Sequence, residues 1–144
     1  MAKKRQGEPW MSGAEYGRQL PTFTVNLIVK EMARSVTFYR DVLGATVRYW
    51  DPDFAALTVA ELDFMLHTDH TYDQHPWYDR LASEERRGLG AELRLLGVDS
   101  DELEARARTQ GATVTQATTD KAHGWREVLV ADPDGYVWAV GVRI

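Results

Sequence analysis

A four-residue sequence occurs twice in the chain, and this repeat constrains the fold more than any other feature. Gly44-Ala45-Thr46-Val47 returns letter for letter as Gly111-Ala112-Thr113-Val114, 67 positions later. In both halves it follows a stretch of helical periodicity and precedes a stretch of strand periodicity. Because the same junction carries it twice, we interpret it as the trace of an internal duplication. Each half is then predicted to be a strand, a helix and three strands, an α+β arrangement of two βαβββ modules.

The first half begins with a strand and a helix. Apolar side chains alternate from Phe23 to Val29, which predicts a strand that is covered at least partly on both faces. Apolar residues then recur at spacings of three and four from Met32 to Leu43, and Gly44 stands just past the expected helix end. Three strands are predicted to follow, at Thr46–Trp50, Phe54–Val59 and Leu62–His67.

The second half has the same predicted order of elements. We expect a strand at Ala91–Val98, a helix at Ser100–Gln110, a short strand at Thr113–Gln116, a loop at Lys121–Trp125, and strands at Glu127–Ala131 and Val137–Val142. Asp132-Pro133-Asp134-Gly135 joins the last two strands and is a strong hairpin signal. We assign this segment the turn and no chemistry.

Two segments lie outside the modules, which we place at 22–69 and 91–144 of a single domain spanning 22–144. Residues 1–21 contain several glycines and prolines and show no clean helical or strand periodicity, so we expect an arm outside the repeating core. Residues 70–90 form a long linker, which we expect to carry a loop or a short helix over one surface.

Composition excludes several classes of protein. The chain has no cysteine, so a disulfide scaffold, a thiolate metal site and a cysteine nucleophile are excluded. With 17 Lys and Arg against 22 Asp and Glu, a net charge of -5 argues against nucleic-acid binding and favours cationic ligands. No apolar run approaches a membrane span, and no signal-peptide pattern follows the basic start, so we expect no membrane partner and a cytoplasmic protein.

Both ends of the predicted domain resemble a known family. The segment from Asn26 to Gly44, NLIVKEMARSVTFYRDVLG, and the segment from Trp125 to Trp138, WREVLVADPDGYVW, are similar to the corresponding segments of the vicinal oxygen chelate superfamily. That superfamily includes glyoxalase I, extradiol dioxygenases, fosfomycin-modifying enzymes and bleomycin-resistance proteins. The resemblance covers residues 22 to 144 and is closest to the bleomycin-resistance-like branch. It implies paired βαβββ modules whose mixed sheets curve around a cleft, usually completed by a second subunit, so we expect a homodimer.

The same resemblance implies where a metal ion would bind. Metal-dependent members carry ligands on the first, fourth, fifth and eighth strands, and the matching positions here hold Thr24, Met65, Leu93 or its neighbour Glu92, and Ala139. Only Glu92 could ligate a divalent cation strongly. The inherited site is therefore predicted to be lost, and we expect no cofactor. A shift of two residues on the fourth strand would bring His67 into the cleft, so a relocated divalent metal site is the alternative.

Aromatic and charged residues near turns complete the predicted ligand site. Trp50 and Trp125 adjoin turn or loop signals, where they could contact a ligand, contact a partner subunit or pack locally, whereas Trp138 is expected in the core. Arg126 could anchor a carboxylate or phosphate, or form a surface ion pair. The predicted ligand-binding residues are Asn26, Trp50, Met65, His67, Glu92, Trp125 and Arg126.

Three functions are consistent with these features. The leading hypothesis is a metal-independent binding protein that sequesters a bulky aromatic or cationic compound, such as an antibiotic. The second is an enzyme of the same fold, either a lyase or isomerase with His67 and Glu92 as base and acid, or a metal enzyme with a relocated site. The third is a module without a small ligand, whose cleft is filled by side chains or by the arm through Trp10 and Tyr16.

Overall fold

The structure is a computed structural model that describes residues 5–83 and 86–144. The first half contains α1 (Gly13–Arg18), β1 (Val25–Val29), α2 (Met32–Asp41), β2 (Thr46–Trp50), β3 (Phe54–Val59) and β4 (Leu62–Thr68). A 3-10 turn (Asp69–Tyr72) and α3 (Tyr78–Leu81) follow in the linker. The second half contains β5 (Glu92–Leu96), α4 (Ser100–Thr109), β6 (Thr113–Asp120), β7 (Trp125–Ala131) and β8 (Val137–Arg143).

The two sheets have the same topology, which confirms the predicted pair of βαβββ modules. The first is ordered β1-β4-β3-β2 and the second β5-β8-β7-β6. In each, the first strand runs parallel to the last, and the other neighbours are antiparallel. The register of β2 shifts just after Val47, and that of β6 shifts just after Val114, the equivalent position of the repeat.

The repeated tetrapeptide has a physical explanation. Gly44 and Gly111 both adopt positive φ angles, 81° and 69°, shortly after the ends of α2 and α4. Glycine adopts this left-handed conformation without the penalty that a Cβ atom brings, and it commonly ends helices for that reason. The duplication has therefore kept the residue that stops each helix and turns the chain into the next strand.

The chain's contacts group into two compact units. The first is built on β1 to β4, and the second on β5 to β8 together with Thr37–Leu43, the last part of α2 and the residues that follow it. In the first unit, alternation along the strands buries Leu57, Phe64 and Leu66 completely on one face of the sheet. No helix within the described residues is both long and apolar enough to cross a membrane.

The second unit has its core around Trp138, as predicted. This indole is 1% exposed, and its Nε1 donates to the Tyr39 hydroxyl at 3.3 Å. The Tyr39 hydroxyl donates in turn to Asp132 Oδ2 at 2.7 Å. The other carboxylate oxygen of Asp132 accepts from the amides of Asp134, Gly135 and Tyr136, each at 2.9 Å. The segment Asp132–Gly135 therefore forms a turn, and the hydrogen bonds of the Asp132 carboxylate connect this turn to the core.

Several predicted boundaries were wrong, each for a local reason. The first strand begins at Val25, because the Thr24 hydroxyl donates back to the Pro21 carbonyl at 2.8 Å and keeps the preceding residues in a turn. Trp125 is the first residue of β7 and not part of a loop, and β6 extends to Asp120. The arm, whose sequence shows no clean periodicity, contains a short helix, α1, at Gly13–Arg18. The linker forms short helices, as expected.

Candidate functional site

A cavity of about 570 Å³ lies in the first unit, between the N-terminal arm and the first sheet. The arm contributes an aromatic and thioether wall that includes Trp10, Met11, Tyr16 and Leu20. The sheet contributes the opposite wall, which includes Tyr49, Phe54, Met65 and His67. The volume lies within the range of small-molecule sites, roughly 300–1,000 Å³, and the lining is predominantly apolar, as such sites usually are.

Strand alternation explains why the sheet offers these side chains. Successive side chains of a strand point to opposite faces. Phe64 and Leu66 of β4 are buried on one face, so Met65 and His67 share the other face, which lines the cavity. Ala56 lies opposite Met65 in the β3–β4 register, and its small side chain leaves room for the arm.

His67 is a polar group on the sheet side of the cavity, besides the Tyr49 hydroxyl, and two neighbours orient it. His67 Nδ1 lies 2.8 Å from the Oδ1 atom of Asn26, on the adjacent strand β1. The amide nitrogen of Asn26 donates to the hydroxyl of Tyr72, in the 3-10 turn after β4. The rings of Phe54 and Tyr72 flank the imidazole, with centroids 5.1 and 5.4 Å away. The imidazole is therefore held by hydrogen bonding and by ring packing.

Apolar contacts hold the arm on the sheet. Tyr16 of α1 is 7% exposed and packs with Ala56 and Met65. Its ring meets Phe54 edge to face at a centroid distance of 5.0 Å, while Trp10 stacks on Tyr49 at 5.1 Å. Trp10 and Tyr16 thus cover the sheet face, as the third hypothesis expects, but they leave the cavity between arm and sheet.

A buried carboxylate provides the polar anchor of the arm. Asp53, in the turn between β2 and β3, is fully buried. It accepts from the backbone amides of Gln6 and Gly7, each at 2.8 Å, and lies 2.6 Å from His70 Nε2. The guanidinium of Arg5 lies 3.5 Å from Asp53 and 2.8 Å from Asp51. Burial works to raise the pKa of Asp53, but the hydrogen bonds from His70, Gly7 and Gln6 outweigh it and lower that pKa overall.

The structure brings only some of the predicted ligand residues together. Asn26, Met65 and His67 gather at the cavity, since Met65 and His67 line it and Asn26 holds His67. Trp50 instead lines a smaller cavity of about 320 Å³ with Pro52 and His70, and 45% of its surface is exposed. Trp50 therefore belongs to a different surface of the first unit.

The other predicted residues lie in the second unit, where each contacts a charged neighbour. Glu92 is exposed and accepts from Arg94 at 2.8 Å, and the Arg143 guanidinium lies 5.7 Å from the Trp125 ring centroid. Arg126 pairs with Asp101 at 2.9 Å and Asp120 at 2.8 Å, which is the surface ion pair that the sequence left as one alternative. These two carboxylates raise the pKa of Arg126.

Sequence reasoning missed Glu127, the buried neighbour of Arg126 in β7. Glu127 is 2% exposed, and its carboxylate lies 2.6 Å from both His123 Nε2 and the Arg94 guanidinium. Gly141 stands opposite in the register, and a Cβ atom there would lie 3.0 Å from Glu127 Cγ. A glycine opposite Glu127 indicates that this carboxylate is packed closely against the neighbouring strand, but this could be recognised only once the register of β7 and β8 was known.

Comparison with known proteins identifies the family. The sequence model of the Glyoxalase/Bleomycin resistance protein/Dioxygenase superfamily matches residues 22–140. The chain belongs to this superfamily. The match begins where the predicted modules begin, so the arm that forms one wall of the cavity lies outside the part that defines the superfamily.

Relatives and solved structures agree with this assignment. The uncharacterized protein Mb0911c of Mycobacterium bovis is 30% identical over 127 residues, which is 84% of this chain and 82% of that protein. A glyoxalase-related enzyme from Fulvimarina pelagi superposes with a TM-score of 0.68 at 20% identity, covering 85% of this chain and 88% of its own. Lactoylglutathione lyase from Agrobacterium tumefaciens gives a TM-score of 0.58 at 16% identity, covering 85% and 94%. At these identities the two structures are evidence of the fold alone.

The positions that the superfamily resemblance assigns to metal ligands do not fit a divalent cation. Met65 offers only a thioether and Ala139 has no donor atom, while the Thr24 hydroxyl is bonded to Pro21 and the Glu92 carboxylate to Arg94. Within residues 5–83 and 86–144, no three His, Asp or Glu side chains gather closely enough to hold a metal ion.

Proposed function

We propose that this protein binds a bulky, largely apolar aromatic compound in the cavity between its arm and its first sheet, without a metal ion, and thereby sequesters it. The observation that carries the proposal is the cavity of about 570 Å³ with aromatic and thioether walls and an oriented imidazole. Such a lining recognises a ligand mainly by burial of apolar surface and by ring contacts.

The residues of the lining support an aromatic or cationic ligand. Trp10, Tyr49 and Phe54 present ring surfaces, which attract flat heterocycles and cations. Met11 and Met65 are flexible and polarizable, so they can adapt to an irregular ligand. The net charge of -5 favours the approach of a cation from solution.

A fluorescence titration tests this proposal. Trp10 lines the cavity and is 39% exposed, so a bound aromatic compound should quench its emission. We would titrate the purified protein with an acridine cation, with 2-naphthol and with bleomycin. Trp77, which is 57% exposed and absent from the cavity lining, offers the matched control. Saturable quenching should survive in Trp77→Phe and be largely lost in Trp10→Phe. Absence of saturable quenching by all three probes, or its loss only in Trp77→Phe, would refute the proposal.

A proton-transfer enzyme is the second candidate, and the orientation of His67 by Asn26 favours it. A positioned imidazole can act as a general base. In this case His67→Ala and Glu92→Ala should abolish turnover of a substrate while leaving the folded protein intact. Unchanged turnover would exclude those roles. The second form of this hypothesis is an enzyme with a relocated metal site. Elemental analysis of protein purified without chelators tests it.

We also propose that the protein acts as a homodimer in the cytoplasm, with a small molecule and neither nucleic acid nor membrane as its partner. The acidic balance supports the exclusion of nucleic acid. The exposure of Phe23 at 77% and Leu89 at 92% supports a protein contact over these surfaces. Sedimentation equilibrium measures the oligomeric state.

A further inference from the structure

The side of α1 that lines the cavity has two glycines where a helix packed on a sheet usually carries bulky side chains. Gly13, Tyr16 and Gly17 of α1 and Leu20 just after it all line the cavity. Residues at these spacings share one side of a helix, and on a helix that covers a core they are typically apolar. Tyr16 fills its position against the sheet, whereas the two glycines add no side chain to theirs.

Neither glycine is required by the backbone or by a close neighbour. Gly13 and Gly17 do not have positive φ angles, so other residues could adopt the same conformation. A Cβ atom on either would meet no atom of the described residues within 4 Å, apart from the adjacent residues and the helix backbone. Glycine also destabilises a helix relative to alanine. What glycine provides at these two positions is therefore open space beside the cavity.

We propose that Gly13 and Gly17 determine the size of ligand that the cavity accepts, and that the space beside them receives the second ring of a planar, fused-ring aromatic compound. This inference rests on the proposed function and narrows its ligand class. The two glycines are four residues apart, which is about 6 Å along the helix axis. A helix surface without side chains over this length lets a flat ring approach the backbone, and Phe54 and Met65 on the opposite wall contact the other side of the ligand.

Two ligands that differ by one ring test the proposal. Phenol and 2-naphthol carry the same hydroxyl, so contacts with polar groups of the lining cancel in the ratio of their dissociation constants. The second ring buries on the order of 50 Å² more apolar surface, which corresponds to roughly tenfold tighter binding of 2-naphthol. The methyl signals of Met11 and Met65, which lie on the two walls, measure both dissociation constants.

Substitution of the glycines shows whether this preference depends on the space beside α1. Gly17→Leu fills the space, so the preference for 2-naphthol should fall from about tenfold to about one, and Gly13→Leu should act in the same direction. Ala14→Leu is the matched control, because Ala14 is exposed and is not part of the cavity lining. It should keep the parent preference. A preference that stays near tenfold in both glycine variants, or equal binding of phenol and 2-naphthol to the parent protein, would overturn the proposal.

Gly17→Ala keeps the test decisive if a leucine displaces the arm. Its methyl group enters open space and removes a glycine from the helix, so the melting temperature should rise while the preference for 2-naphthol falls partway. General damage to the arm would lower both. Amide exchange at Gln6 and Gly7, which bond to Asp53, shows whether the arm stays in place in each variant.

The outcomes separate failure of this inference from failure of the proposed function. If neither 2-naphthol nor any other probe of the fluorescence titration binds to the parent protein, the proposed function fails and the size selection with it. If 2-naphthol binds and its preference is unchanged in Gly17→Ala and Gly17→Leu, the cavity is a binding site and only the role of the glycines is wrong.

Discussion

Replacement of Asp53 by Asn should loosen the arm and lower the free energy of unfolding. The Asp53 carboxylate is fully buried, and its two oxygens accept from the Gln6 and Gly7 amides and from His70, at 2.6–2.9 Å. Asparagine keeps one acceptor oxygen and places an NH2 group where the other oxygen was. If the NH2 group faces the Gly7 amide, two donors meet and that bond is lost. If it faces His70, the ring nitrogen can only accept from it as a neutral imidazole, and the bond to a charged carboxylate is replaced by a weaker neutral one.

The size of the effect follows from these bonds. A hydrogen bond to a charged group contributes roughly 1.5–3 kcal/mol, and the bonds that remain are weakened because the carboxylate charge is gone. We therefore expect Asp53→Asn to lower the free energy of unfolding by about 3 kcal/mol. Asp63→Asn is the matched control, because Asp63 accepts from the Thr58 hydroxyl at 2.6 Å and makes no hydrogen bond to the described part of the arm. Its cost should stay below about 1 kcal/mol.

Urea unfolding measures both costs, and amide hydrogen exchange reports on the arm itself. The Gln6 and Gly7 amides should exchange faster in Asp53→Asn and at the parent rate in Asp63→Asn. Equal losses of stability in the two variants, together with unchanged exchange at residues 6 and 7, would refute the role of Asp53 as the anchor of the arm.

Three further predictions concern pH, a buried hydroxyl and two glycines. Because the pKa of Asp53 is lowered in the folded protein, its contribution to stability is complete above its unfolded pKa of about 4 and is lost as the pH falls further, so parent and Asp53→Asn stabilities should converge in acid. Tyr16→Phe should raise the free energy of unfolding by about 1 kcal/mol in urea titrations, because the Tyr16 hydroxyl is buried without a hydrogen-bond partner among the described residues. Gly141→Ala should lower the free energy of unfolding by about 3 kcal/mol, because its Cβ would lie 2.2 Å from the Arg126 carbonyl oxygen. Gly17→Ala in α1 has open space around the added Cβ and should raise the free energy of unfolding by about 0.5–1 kcal/mol. Comparable melting temperatures for the two glycine variants would contradict this.

Strands were predictable from the sequence where alternation and turn residues coincide. The predicted limits of β2 and β3 agree with the structure, because Asp51-Pro52-Asp53 separates two alternating runs. The equivalence of the two modules was predictable from one tetrapeptide, because its glycine adopts a positive φ angle at both sites. Helix α1 was missed because it is short, although Ser12 and Glu15 form a capping box that the sequence contains.

The candidate site was only partly predictable. His67 and Met65 were assigned to the cleft from strand positions, and both line the cavity. The arm wall was not predicted as part of a ligand site, because its contacts with the sheet join residues such as Tyr16 and Met65 that are far apart in the sequence. Asp53 lies in a turn segment between two strands, and nothing local in the sequence indicates that its carboxylate anchors residues near the start of the chain.

Methionine methyl spectra test the central claim, that the cavity between arm and sheet binds an aromatic compound, most directly. Met11 and Met65 line this cavity from its two walls, whereas Met32 lines the smaller one beside Trp50. On titration with 2-naphthol, the ring current of the bound ligand should shift the methyl signals of Met11 and Met65 together and saturably, and leave that of Met32 unchanged. A shift of Met32 alone, or no shift of Met11 and Met65 at saturating ligand, would contradict the account.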